Sequence, residues 1–106
     1  MSSTLRQICK LVNTGEFRIS DHGYDELAED GILVGEVIAA LAEAQVVEDY
    51  PNYPKGPCVL VLLADGDGRA IHAVWGLPRG QDSPAVLVTA YKPDPKKWTD
   101  DFKRRR

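Results

Sequence analysis

The sequence is poor in the groups that usually carry redox, disulfide and neutral-pH proton chemistry: its 106 residues include two cysteines, two histidines and one methionine. Cys9 and Cys58 lie far apart and outside any C-x-x-C pair, which argues against a zinc site and gives a disulfide little support. They read as reduced, small core residues. No apolar run reaches the roughly 18–20 residues that span a bilayer, and the longest, Cys58 to Ala64, has the length of a buried strand. The start, Met1 to Arg6, has no apolar stretch behind a basic one and no small-residue cleavage site, so a cytoplasmic location with no membrane contact is expected. Gly-rich phosphate loops and the G-x-S-x-G, H-E-x-x-H and Walker patterns are missing too. Nucleotide hydrolysis and serine-hydrolase chemistry have no support, and no cofactor is expected.

What is present suits one globular domain, residues 1–106. Leu, Ile, Val and Phe number 27, about a quarter of the chain, enough for a real core. The formal net charge of −3 hides a split. Residues 1–50 carry 3 Lys/Arg against 10 Asp/Glu, and residues 51–106 carry 10 against 6. The basic excess gathers after Ala90, where Lys92, Lys96, Lys97 and Lys103 to Arg106 could steer a polyanion or an acidic partner to one end.

Leu5, Ile8, Cys9 and Val12 fall at helical spacing, so residues 4–14 are predicted as an amphipathic helix closed by Gly15. Ser20 offers an N-cap for a second helix that starts near Asp21 and stops at Gly31. Val34, Val37, Ile38 and Leu41 predict a third over about 33–44. After Ala44, β-branched residues and short apolar runs predict strands over Val46–Tyr50, Cys58–Ala64, Ala70–Gly76 and Ala85–Tyr91. Asp65-Gly66-Asp67-Gly68 supplies a hairpin turn between the second and third of these. A short last helix, Asp94 to about Phe102, would set Trp98 and Phe102 one turn apart. The fold class is α+β: N-terminal helices packed on one side of a four-stranded antiparallel sheet, with a short C-terminal helix.

Proton transfer near neutral pH would fall first to His22 and His72. His22 opens the second helix, where its bland role is that of a surface side chain at a helix start. His72 shares a strand face with Val74, opposite Ile71, Ala73 and Trp75. Antiparallel pairing of 70–76 with 85–91 would bring His72 near Thr89 and Tyr91, and a one-residue slip would part them. The structural alternative for His72 is a half-buried imidazole hydrogen-bonded to a neighbouring hydroxyl. Asp65-Gly66-Asp67-Gly68 lacks the later acidic ligands of a calcium loop, with Arg69 following, so no metal site is expected.

Four stretches in this order carry a resemblance: Ile19 to Ile32 with its Ser20-Asp21-His22 start, Ile71-His72-Ala73-Val74, Val88-Thr89-Ala90-Tyr91-Lys92-Pro93-Asp94, and Trp98. They resemble the domain of unknown function 4258 family over about residues 18–106. The resemblance implies a fold related to the RelE-type and barnase-like small ribonucleases and a setting among bacterial toxin–antitoxin pairs. It also implies an RNA substrate and a small antitoxin partner of the zinc-finger or helix-turn-helix type. Carried over by position, His22, His72, Thr89 and Tyr91 are the expected catalytic residues, and Lys92, Arg69 and Trp98 the expected substrate-binding ones. Glu26 and Asp30 stand where the family pattern has arginine, which makes this helix face hostile to RNA.

Three functions follow as expectations. The first is metal-independent RNA cleavage, the 2′-hydroxyl attacking the adjacent phosphate, one imidazole taking its proton, the other protonating the leaving oxygen, and Tyr91 or Lys92 stabilising the phosphorane. The second is a non-catalytic protein-binding module of the same fold, a degenerate toxin homologue whose acidic helical half meets a basic partner. The third, least favoured by the net charge, is nucleic-acid binding through the basic tail.

Overall fold

The computed structural model describes residues 2–106. Helix α1 (Ser3–Asn13) begins where the Ser2 hydroxyl accepts the Leu5 amide at 3.1 Å. It ends where Gly15, at φ 77°, turns the chain so that Glu16 N–H reaches the Leu11 carbonyl at 2.8 Å. Strand β1 (Phe17–Ile19) follows, then α2 (Asp21–Asp30) and α3 (Val34–Ala40), which tightens into a 3-10 turn over Leu41–Glu43. The predicted cap and stop of α2 are both present: Ser20 Oγ accepts the Gly23 amide at 2.9 Å, and Gly31 adopts φ 65° while Ile32 N–H bonds the Leu27 carbonyl. The third helix thus covers most of the predicted span.

Strands β2 (Gln45–Tyr50), β3 (Cys58–Ala64), β4 (Ala70–Gly76) and β5 (Ala85–Tyr91) run as an antiparallel meander. The Asp65 side chain builds the β3–β4 turn by accepting the amides of Asp67 and Arg69, both at 2.9 Å. Two expectations need correction. The sheet has five strands in the order β1-β5-β4-β3-β2, and the fifth, β1, pairs parallel with β5. Three residues between two helices are too few to show a period of two, although Phe17-Arg18-Ile19 does alternate.

The predicted C-terminal helix does not form. Residues 94–106 make turns and one bridge, Trp98 to Arg105. One turn starts at Asp94, whose side chain accepts the Lys96 amide at 2.8 Å, but it goes no further: Asp101 gathers a local turn by accepting both the Thr99 hydroxyl and the Lys103 amide. Phe102 then turns back at φ 59°. This segment is a strap across the sheet.

All three helices cover one sheet face. Leu5 and Ile8 of α1, Leu27 of α2 and Val37 of α3 pack on Val59, Val61, Ile71, Ala73, Trp75 and Leu87 in one cluster. Each such aliphatic side chain taken fully out of water contributes roughly 1.5–3 kcal/mol. Trp75 is completely buried and meets Phe17 edge-on at 6.4 Å. Gly23 lets α2 lie against β5, since a Cβ there would stand 2.9 Å from the Leu87 carbonyl oxygen. The opposite sheet face, carrying Leu60, His72, Val74, Val86 and Tyr91, has no helix on it. No helix among the described residues is long and apolar enough to cross a membrane.

Candidate functional site

His72 and Tyr91 are direct register partners on β4 and β5, with Val74 and Thr89 the next pair along the same face. The register thus brings His72 and Tyr91 together, with Thr89 one pair further along beside Val74. The pair is also closed off. His72 has no exposed surface, and its ring lies edge-on to Trp98 at 4.4 Å and to Tyr91 at 5.4 Å. Its Nε2 is 2.8 Å from the Phe102 carbonyl oxygen and its Nδ1 is 3.3 Å from the Tyr91 hydroxyl. A carbonyl only accepts, so Nε2 carries the proton and Nδ1 accepts from the phenol. Burial pushes the imidazole below its ordinary range, against a smaller opposing pull from the Phe102 carbonyl, and it pushes the Tyr91 phenol up. Above this pair Arg105 lies over the Trp98 ring at 4.8 Å and binds Glu48 of β2. That guanidinium holds the Glu48 carboxyl below its usual range.

The other expected residues lie elsewhere. His22 is exposed on α2, in the helical layer, and pairs with Glu26 at 3.6 Å. His72 faces the other side of the sheet, so the two imidazoles do not share a hollow. Arg69 pairs with Asp67 at 3.0 Å and Asp65 at 3.9 Å. Arg69 and Lys92 line one hollow of about 180 Å³ together with Glu36, Asp65 and Asp67, which is a poor place for a phosphate. Asp30 accepts the Lys92 amide at 2.8 Å and so fixes the end of β5. Trp98 is spent on covering His72 and is 6% exposed. Cys9 and Cys58 are free and partly buried, and burial raises both thiols.

The uncovered half of the open sheet face holds a different site. A hollow of about 520 Å³ lies there, and Arg18, Lys55 and Arg79 line it with no carboxylate among its walls. These are half of the six Lys/Arg that precede Ala90. None of the three makes a salt bridge among the described residues. Arg18 is placed by register: Phe17 and Ile19 turn into the core, so Arg18, opposite Val86, turns out. Gly56, at φ 121°, lets the 51–57 loop approach the 77–84 loop, and Leu77 N–H bonds the Pro57 carbonyl at 2.9 Å. A Cβ at Gly56 would stand 2.1 Å from the Leu77 carbonyl oxygen. That contact brings Lys55 and Arg79 to one rim. Tyr53, half exposed, stands at the wall, and Val74, Val86 and Val88 form an apolar floor.

Arg18, Lys55, Arg79 and Tyr53 did not stand out in the sequence, because each comes from a different segment. The legible signal was Arg18 between two core residues on either side of it in a short alternating stretch. A five-stranded α+β sheet with one helical face and one open, cation-rimmed face defines the class of domain. The family model described as domain of unknown function DUF4258 matches residues 19–92, and the chain belongs to that family. No curated protein and no solved structure matches the chain.

Proposed function

We propose that this protein is a toxin-like, RNA-directed domain built on the RelE-type ribonuclease plan, which takes single-stranded RNA into the hollow on its open sheet face. The observation that carries the reading is the meeting of Arg18, Lys55 and Arg79 around a hollow free of carboxylates in a chain of net charge −3. Cations set there neutralise phosphates, while Tyr53 and the valine floor offer a base an aromatic edge and an apolar bed. Single strands suit it better than duplex, whose bases are already stacked and turned inward. Cleavage on this plan needs no metal: the 2′-oxygen bonds to the adjacent phosphorus while the P–O5′ bond breaks, leaving a 2′,3′-cyclic phosphate and a 5′-hydroxyl. The 2′-hydroxyl proton goes to water, the leaving oxygen takes one from water, and the three cations stabilise the charge on the phosphorane. The expected partner is a small antitoxin of the zinc-finger or helix-turn-helix type.

A second reading, the non-catalytic protein-binding module, draws on the exposed Tyr24 and Leu33 beside the acids of α2 and α3. Binding of a fluorescent single-stranded RNA by the full chain, followed by anisotropy across a salt series in a chelator, separates the two. Arg18→Glu with Arg79→Glu should weaken binding at least tenfold and flatten the salt dependence by about one phosphate per cation removed. Equal affinity in wild type and variant would remove RNA from the hollow.

A further inference from the structure

The strap over residues 93–106 covers the part of the open face that adjoins the hollow. Val74 lines the hollow, and His72 lies two residues along the same face of β4, with Thr89 and Tyr91 opposite on β5. Lifting the strap would therefore lengthen the hollow without rebuilding the sheet. The polar and aromatic contacts of the strap with the sheet are the Trp98 ring on His72, the Phe102 carbonyl on Nε2, and Arg105 on Glu48, with Trp98 itself 6% exposed. Most of the strap's other bonds are internal, among them Thr99 N–H to the Arg104 carbonyl, Arg106 N–H to the Lys97 carbonyl, and Arg106 to Asp100. It carries Lys96, Lys97, Lys103, Arg104, Arg105 and Arg106, which a polyanion attracts. The family match contains His72 and Tyr91 and stops at residue 92, before the strap.

The acceptor at Nε2 is informative. The Phe102 carbonyl oxygen, 2.8 Å from Nε2, is an acceptor of the kind that a phosphodiester oxygen could replace. We infer that the strap is a displaceable plug over a second RNA subsite, His72 with Tyr91, and that single-stranded RNA exchanges one of its phosphate oxygens for the Phe102 carbonyl; this rests on the RNA reading of the hollow. Glu48 is the carboxylate that faces the subsite, and Arg105 neutralises it in the closed state. The resting protein thus has its neutral imidazole sealed and only half of its groove open.

The test uses the full chain with Arg105→Ala and, separately, Trp98→Ala, their folding checked by circular dichroism. Acylation of His72 by diethyl pyrocarbonate, read by mass spectrometry against exposed His22 in the same molecule, should rise at least tenfold in each. Affinity for a labelled single-stranded RNA should rise about fivefold or more, although Arg105→Ala removes a cation that electrostatics alone would make favourable. Should Trp98→Ala fail to fold, Arg105→Ala carries the test, because that side chain is largely exposed. His72 labelling unchanged from wild type would overturn the plug. So would increased labelling with RNA affinity unchanged or weaker. Absence of RNA binding in wild type and variants alike would sink the RNA reading itself, and the labelling arm, which contains no RNA, tells that failure from the plug's.

Discussion

His72 and Phe102, thirty residues apart in sequence, are joined by a 2.8 Å hydrogen bond from the ring to a backbone carbonyl. That bond fixes a tautomer, and the burial around it, acting against the bond's own smaller pull, sets a pH dependence. Burial lowers the folded-state pKa of His72 from its ordinary 6.5. The unfolded chain therefore takes up the proton first, and stability is present above about pH 6.5 and lost as pH falls toward the folded value. Urea midpoints should drop between pH 7 and pH 5, and His72→Gln should remove that slope. Nitrogen-15 spectra at pH 6.5 should find the ring neutral with its proton on Nε2; a half-protonated His72 there would contradict the buried arrangement.

Gly56 and Gly15 both hold positive φ, yet they should respond differently to a methyl group. At Gly56 the added Cβ meets backbone at 2.1 Å, so Gly56→Ala should cost more than about 2 kcal/mol and weaken RNA binding by parting Lys55 from Arg79. At Gly15 nothing lies within 4 Å, so Gly15→Ala should cost only about 1–2 kcal/mol of left-handed strain and leave RNA affinity alone. Urea denaturation and anisotropy on the two variants check both halves.

Ser20 serves α2 and β5 at once. Its Oγ accepts the Gly23 amide, and its O–H donates to the Val88 carbonyl at 2.8 Å. Ser20→Ala should cost about 1–2 kcal/mol by denaturant titration, while Ser20→Asp, which still caps but cannot donate, should recover only part.

His22→Ala should change stability by no more than about 0.5 kcal/mol, because its partner among the described residues is a surface carboxylate four residues on. RNA affinity should stay at the wild-type value. A tenfold loss would move the RNA site from the open sheet face to α2.

The regular elements were legible because their causes are local. β3, β4 and β5 stand at their predicted limits, marked by apolar runs between Asp-Gly and Pro-Gly punctuation. Ser20 and Gly31 bounded α2 by the chemistry of caps. The pairing of His72 with Tyr91 was also within reach, since a short connection between two strands leaves few registers. Burial of that pair was not, because it depends on a strap whose path is set by contacts such as Arg105 with Glu48, 57 residues apart in the chain. Helical spacing between Trp98 and Phe102 suggested a helix, and one turn does start at Asp94, but Asp101 then gathers the Thr99 hydroxyl and the Lys103 amide into a local turn and Phe102 reverses the chain. The hollow was hidden for the same reason as the strap: β1 joins the sheet only through β5.

That last pairing has a consequence for how the protein is made. Phe17 waits for Ala85, and Arg18 for Val86, so the edge that carries the arginine cannot be set until the chain has been synthesised through β5. Closing so wide a loop is slow compared with zipping the β3–β4 hairpin. A ribosome-bound fragment ending before β5 lacks the partner strand of β1, which ties the completion of the cation-rimmed hollow to the synthesis of β5.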